Sequence, residues 1–233
     1  MKTIGIIGGM SWESTVPYYR RVNELVADRL GGLHSARLVL VSVDFHEIEA
    51  LQSAGHWDEA GRQLAAAARS LESAGAEFIV LATNTMHKVA PAIEAAVGVP
   101  LLHIADATGE AIARAGMHTV GLLGTRFTME EDFYRARLAE RFGLSVLVPD
   151  EGDRQFVNSV IYTELCCGVT SGESREAFRG IIARPVERGA EGIILGCTEI
   201  PLLVGATDSP VPLFDTGELH AQAAVAFAVD EAG

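Results

Sequence analysis

The chain has 233 residues, 48% of them hydrophobic and 21% charged, enough to bury the core of one large domain or two small ones. A formal net charge of −13 excludes general nucleic-acid binding, which needs a basic face against phosphates. Mean hydropathy is positive, yet no apolar run approaches the roughly 18–20 residues of a membrane helix.

Ile4–Ile7 reads as the first strand, entered directly from Met1-Lys2-Thr3. The basic start, apolar stretch and small-residue cleavage site of a signal peptide are absent there, so a cytoplasmic protein is expected. A helix is expected from about Ser14 to Leu30, a strand over Leu38–Val43 and a second helix over Trp57–Ala74. In the latter, Ala60, Leu64, Ala67, Ala68 and Leu71 recur at helical spacing. Phe78–Leu81 is a third strand, Ala90–Val97 a helix and Leu101–Ile104 a strand, and the alternation starts again after Thr119. Apolar strands alternating with helices predict parallel sheet covered on both faces.

The sequence also repeats itself. Gly75-Ala76-Glu77-Phe78-Ile79-Val80-Leu81-Ala82-Thr83-Asn84-Thr85 is similar to Gly189-Ala190-Glu191-Gly192-Ile193-Ile194-Leu195-Gly196-Cys197-Thr198-Glu199. Gly5-Ile6-Ile7-Gly8-Gly9 pairs with Gly121-Leu122-Leu123-Gly124-Thr125, and Val99-Pro100-Leu101-Leu102 with Val211-Pro212-Leu213-Phe214. Three matches in one order, at offsets between 112 and 116 residues, predict two related α/β halves. The expected division is 1–102 plus 212–233, with a C-terminal helix packing back, against 103–211. In open parallel sheets, ligands bind beyond the carboxyl ends of strands. Halves packed with those ends facing would bring Thr83 and Cys197 to one cleft from opposite sides, beside Gly8-Gly9-Met10 and Gly124-Thr125.

Cys166, Cys167 and Cys197 form neither a disulfide framework nor a zinc-ligand spacing, and no metal site is expected. Each cysteine can be a buried small hydrophobe. Cys197 has a second reading, because it follows a strand and meets backbone amides that favour a thiolate. A modest shift from the ordinary thiol pKa of about 8.5 would make it a base. Gly8-Gly9-Met10-Ser11 is not a G-x-G-x-x-G loop; its amides suit a carboxylate, or its glycines a tight turn. Asn84, Thr85 and Thr198 are donors for a substrate carboxylate, or helix caps. Gln52 and Thr125 are weaker candidates for substrate contact. His87 is placed to orient a catalytic group or to bond within a buried loop, and Glu199 to tune Cys197 or to cap. Arg126 is placed to face a dianionic substrate or solvent. His46, His56, His103 and His220 form no metal spacing and read as structural or surface residues. The only lysines are Lys2 and Lys88.

Taken together, four segments resemble the aspartate/glutamate racemase family over nearly the whole chain. They are Gly5-Ile6-Ile7-Gly8-Gly9-Met10-Ser11-Trp12-Glu13-Ser14-Thr15, Ala82-Thr83-Asn84-Thr85-Met86-His87, Gly121-Leu122-Leu123-Gly124-Thr125 and Gly196-Cys197-Thr198-Glu199. The resemblance implies two pseudo-symmetric, Rossmann-like (flavodoxin-like) subdomains with parallel sheets and an active site between them. It also implies no pyridoxal phosphate, no metal and often a homodimer, with an acidic amino acid as substrate. Family members usually carry two cysteines, one moving the Cα proton on each face. The second maps onto Cys197. The first maps onto Thr83, so this chain departs from the usual Cys-Asn-Thr. A threonine hydroxyl is far less acidic than a thiol, so its alkoxide is scarce near neutral pH: Thr83 can relay or donate a proton but is a poor base for the return direction, and family geometry suggests L as the preferred enantiomer. Two alternatives stay open: a malonate-type decarboxylase using Cys197 alone, and a non-catalytic module that binds acidic amino acids.

Overall fold

The computed structural model describes residues 1–229. Two compact units divide the chain: Met1–Ile104 with the segment from His220 onward, and Ala105–Leu219.

In the first unit the strands are β1 (Ile4–Gly8), β2 (Leu38–Ser42), β3 (Phe78–Leu81) and β4 (Leu101–Leu102). They are separated by α1 (Trp12–Leu30), α2 (Phe45–Ser53), α3 (Trp57–Ser73), a 3₁₀ turn (Thr85–Val89) and α4 (Ala90–Glu94). All pairs are parallel, in the order β2-β1-β3-β4. Period-2 alternation sends Ile7, Ile79 and Leu81 to one face, where Ile48 of α2, Leu64 and Leu71 of α3 and Ile93 of α4 cover them. Ile4, Ile6, Phe78 and Val80 point to the other face, against Tyr18, Val22 and Val26 of α1 and Ala221, Ala224 and Val225 of the C-terminal helix. Each fully buried side chain of this size contributes about 1.5–3 kcal/mol.

The second unit begins with α5 (Ile104–Arg114), whose first residue still belongs to the first unit. It continues with β5 (Thr119–Gly124), α6 (Arg126–Glu130), α7 (Asp132–Phe142), β6 (Ser145–Leu147) and α8 (Glu151–Thr163). A 3₁₀ turn (Leu165–Cys167), α9 (Gly172–Glu187), β7 (Gly192–Gly196), 3₁₀ turns at Ile200–Leu202 and Ala206–Asp208, β8 (Leu213–Asp215) and α10 (Thr216–Val229) follow. Its sheet is parallel in the order β6-β5-β7-β8, the same topology as the first. The repeat extends to side chains. A Cβ on Gly5 would lie 3.1 Å from Ile79 Cδ1, and one on Gly121 would lie 2.6 Å from the equivalent Ile193 Cδ1.

Three sequence expectations need correction. The return to the first unit comes at His220, not at residue 212, because β8 hydrogen-bonds to β7 and completes the second sheet. Helix α2 was not expected at all; its nine residues are too few to show a helical period clearly, and it begins with Asp44 accepting the His46 amide at 3.0 Å. Strand β4 stops at Leu102, and Ile104 opens a helix. Both lysine ammonium groups lie over aromatic rings, Lys2 at 4.1 Å from the Phe227 centroid and Lys88 at 3.8 Å from that of Trp57. Among the described residues, no helix is long and apolar enough to cross a membrane.

Gly9 has φ +95°, and a Cβ there would strike the Val43 carbonyl and lie 2.7 Å from its amide nitrogen. Gly75 has φ +92° but open space around it. Gly9→Ala is therefore expected to cost roughly 2–5 kcal/mol and Gly75→Ala only about 1–2 kcal/mol. Urea unfolding of the two variants measures this, and equal losses would contradict the steric argument.

Candidate functional site

A 2-1-3-4 parallel sheet reverses its strand order between its first and third strands, and ligands bind beyond the carboxyl ends at such a point. In the first unit those ends are β1, running into Gly9-Met10-Ser11, and β3, running into Ala82-Thr83-Asn84-Thr85. In the second they are β5, running into Thr125, and β7, running into Cys197-Thr198-Glu199. Eight of the candidate residues lie on these four segments, while Gln52, His87 and Arg126 lie outside them. Met10, Thr83, Asn84, Thr85, Thr125, Cys197 and Glu199 are buried, and Thr198 is partly buried.

After β1 the chain is tied by Thr15. Its Oγ1 accepts from the Gly9 amide at 2.9 Å and donates to the Ser11 carbonyl at 2.8 Å. After β3 the Thr83 amide donates back to the Leu81 carbonyl at 2.8 Å, and the His87 amide to the Asn84 carbonyl at 3.1 Å. His87 places Nδ1 2.7 Å from the Thr83 carbonyl oxygen. Gln52, on α2, is buried and donates to Met86 Sδ at 2.9 Å, so it reaches the 3₁₀ turn after Thr83. Met10 and Met86 share one apolar cluster.

In the second unit Thr125 caps α6, its Oγ1 accepting the Thr128 amide at 3.4 Å. Arg126 is exposed, with its guanidinium over the Phe127 ring at 4.6 Å. The Cys197 thiol donates to Glu199 Oε2 at 2.9 Å, and the Thr198 hydroxyl donates to the same oxygen at 3.1 Å. Beyond them Asp208 fixes the loop. It accepts from Arg175 Nε at 3.0 Å, Arg179 Nε at 2.6 Å and the Gly205 amide at 2.8 Å, and these donors, Arg175 foremost, hold its carboxyl far below the usual range.

The sequence suggested that strand-end amides would make Cys197 a ready thiolate. The structure corrects this. The Glu199 amide does pull the thiol down, but burial pushes it well above its ordinary value, and the charge of Glu199 and then Cys166 add to the rise. Cys197 is a neutral thiol with a carboxylate acceptor in contact. One carboxylate escaped the sequence reading: Asp215, at the carboxyl end of β8, caps α10 by accepting from the Gly217 and Glu218 amides at 2.9 and 3.1 Å. Burial raises its pKa. The signal available was its place after the Val-Pro-Leu-Phe repeat.

A model of the Asp/Glu/hydantoin racemase family matches residues 7–224. The chain belongs to that family. Broad specificity amino-acid racemase RacX of Bacillus subtilis is 26% identical over 227 residues, covering 95% of this chain and 96% of the relative. Among solved structures, a candidate Asp/Glu racemase from Yersinia pestis is 58% identical with a TM-score of 0.91, covering 98% of this chain and 100% of that one. An aspartate racemase homologue from Pyrococcus horikoshii is 38% identical with a TM-score of 0.84, covering 98% and 99%.

For this racemase the Cys197–Glu199 contact generates opposed expectations. Glu199→Gln removes the charge that raises the thiol and the acceptor for its proton. Alkylation of Cys197 by iodoacetamide should therefore become faster, followed by peptide mass spectrometry to separate it from Cys166 and exposed Cys167. Turnover should fall by roughly 10²-fold. Slower alkylation would contradict the assigned cause.

Proposed function

We propose that this racemase interconverts the enantiomers of an acidic amino acid, aspartate or glutamate, with Cys197 as base and Thr83 on the proton-delivering side. The observation that carries the reading is the hydrogen bond from the Cys197 thiol to Glu199 at the end of β7. It gives a buried thiol a route to ionise. Thr83 lies just beyond β3, the equivalent strand of the other unit.

In this reading Glu199 takes the thiol proton and the Cys197 thiolate removes the Cα proton of the L enantiomer. Charge that spreads onto the substrate carboxylate is met by amides after β1 and by Asn84, Thr85 and Thr198. Met10, Gln52 and Thr125 are the further substrate contacts of this reading. The Thr83 hydroxyl, or water held by it, delivers a proton to the opposite face. Thr83 then regains a proton from water, while Cys197 keeps the one from Cα until Glu199 releases its own, which resets the pair. The reverse direction would need a threonine alkoxide, which is scarce near neutral pH. The chemistry uses side chains and water alone. A homodimer, as the resemblance implies, and a cytoplasmic location complete the proposal.

Proton–deuterium exchange in heavy water, run separately on L- and D-aspartate and on L- and D-glutamate, tests it. Exchange from the L form should be much the faster, and equal rates would sink the one-base mechanism. Cys197→Ser should lower exchange by roughly 10²–10⁴-fold with the fold intact.

A further inference from the structure

The first unit buries three histidines in one cluster, two of which were read from the sequence only as structural or surface residues. His87, His103 and His220 are 3%, 5% and 0% exposed. The His87 ring lies 4.3 Å from that of His103 and 6.1 Å from that of His220, and Tyr18 meets His220 edge-on at 6.0 Å.

The backbone settles the protonation pattern. The Ile104 amide can only donate, and it points at His87 Nε2 at 3.2 Å, so that nitrogen presents its lone pair. The ring proton therefore sits on Nδ1, facing the Thr83 carbonyl, which can only accept. By the same logic His220 carries its proton on Nε2, 2.8 Å from the Leu102 carbonyl. Two histidines thus hold the backbone on either side of His103. Leu102 ends β4, and Ile104 is the last residue before the chain leaves the first unit.

Both backbone polar groups of Thr83 are consequently tied: its amide to Leu81 and its carbonyl to His87. The side-chain rotamers open to a residue depend on its backbone dihedrals. Holding the carbonyl of Thr83 therefore holds the direction of its hydroxyl.

We propose that His87 is a positioning residue for racemisation, its neutral Nδ1–H tautomer fixing the Thr83 turn so that the hydroxyl delivers its proton along one direction. This rests on the reading of Thr83 as the proton-delivering residue. A purely structural role would need only a side chain that fills the space. The positioning role needs a donor at the place of Nδ1.

Two substitutions separate these roles. In His87→Asn the amide nitrogen can stand where Nδ1 stood and donate to Thr83. In His87→Gln the amide reaches the place of Nε2 and serves Ile104 instead. Each variant is given the L substrate in heavy water, and two products are followed: inverted D amino acid, and deuterium in the recovered L amino acid. The second reports Cys197 alone and shows that the protein is folded. His87→Gln should lower kcat for inversion by roughly tenfold to a hundredfold, the cost of a misplaced group, with KM changed by less than about threefold. Its deuterium incorporation into the L form should persist. His87→Asn should keep inversion within about threefold of the parent.

Unimpaired inversion in His87→Gln overturns the proposal. So does loss of both products together in both variants, in step with the urea midpoint, which would mark His87 as packing. Thr83→Ala, run alongside, separates the two readings. Inversion that survives Thr83→Ala removes the role of Thr83 and this inference with it. Inversion lost in Thr83→Ala but intact in His87→Gln overturns this inference alone.

Discussion

Among the described residues all eight strands run parallel within their sheets, and most of what the protein can do follows from that. A parallel strand cannot turn back on its neighbour, so each must be joined by a crossover that covers one face of the sheet. Both faces are thereby spent on packing, and the carboxyl ends of the strands become the places where polar groups can gather. Gly9, Thr83, Thr125 and Cys197 lie just beyond such ends. The strands themselves are buried throughout in β1, β3 and β7. Chemistry is confined to the residue or two where hydrogen bonding to the sheet stops.

The two strand ends of interest differ in how they hold a proton. Cys197 is buried in the second unit, where ionisation is opposed, and its thiol donates to the neighbouring Glu199. At Thr83 it is the backbone that is fixed by hydrogen bonds, the amide to Leu81 and the carbonyl to His87. In the proposed reaction one end moves a proton between two side-chain atoms and the other aims a hydroxyl. The internal repeat has kept the scaffold and let the chemistry diverge. The matched glycines Gly5 and Gly121, each backed by an isoleucine of the neighbouring strand, show how closely the scaffold was kept.

Much of this was legible because it rests on short-range pattern. Apolar runs of four to six residues located β1, β3, β5 and β7, and the repeat identified Cys197 and Thr83 as equivalent before any coordinates. The parts that were not legible depend on contacts distant in sequence. Helix α2 is short and half exposed, and Gln52 gains meaning only through Met86, 34 residues away. His220 reads as structural or surface in the sequence, and only the fold brings its ring to the carbonyl of Leu102, 118 residues earlier. The thiol's state was misjudged because strand-end amides were counted and desolvation was not. Local sequence shows which dipoles point at a group, but burial is a property of the whole unit.

The two lysines show a further consequence. Lys2 and Lys88 are the only primary amines on side chains in the chain, and each lies over an aromatic ring. An aldehyde cofactor is carried by enzymes as an imine to a lysine that is free to attack a carbonyl. Here Lys88 follows the Thr83 turn by only a few residues, yet its ammonium is turned onto Trp57 of α3. In the proposed reaction the acidity of Cα is drawn instead from hydrogen bonds and local charge, and the burden falls on how well those few donors are held in place.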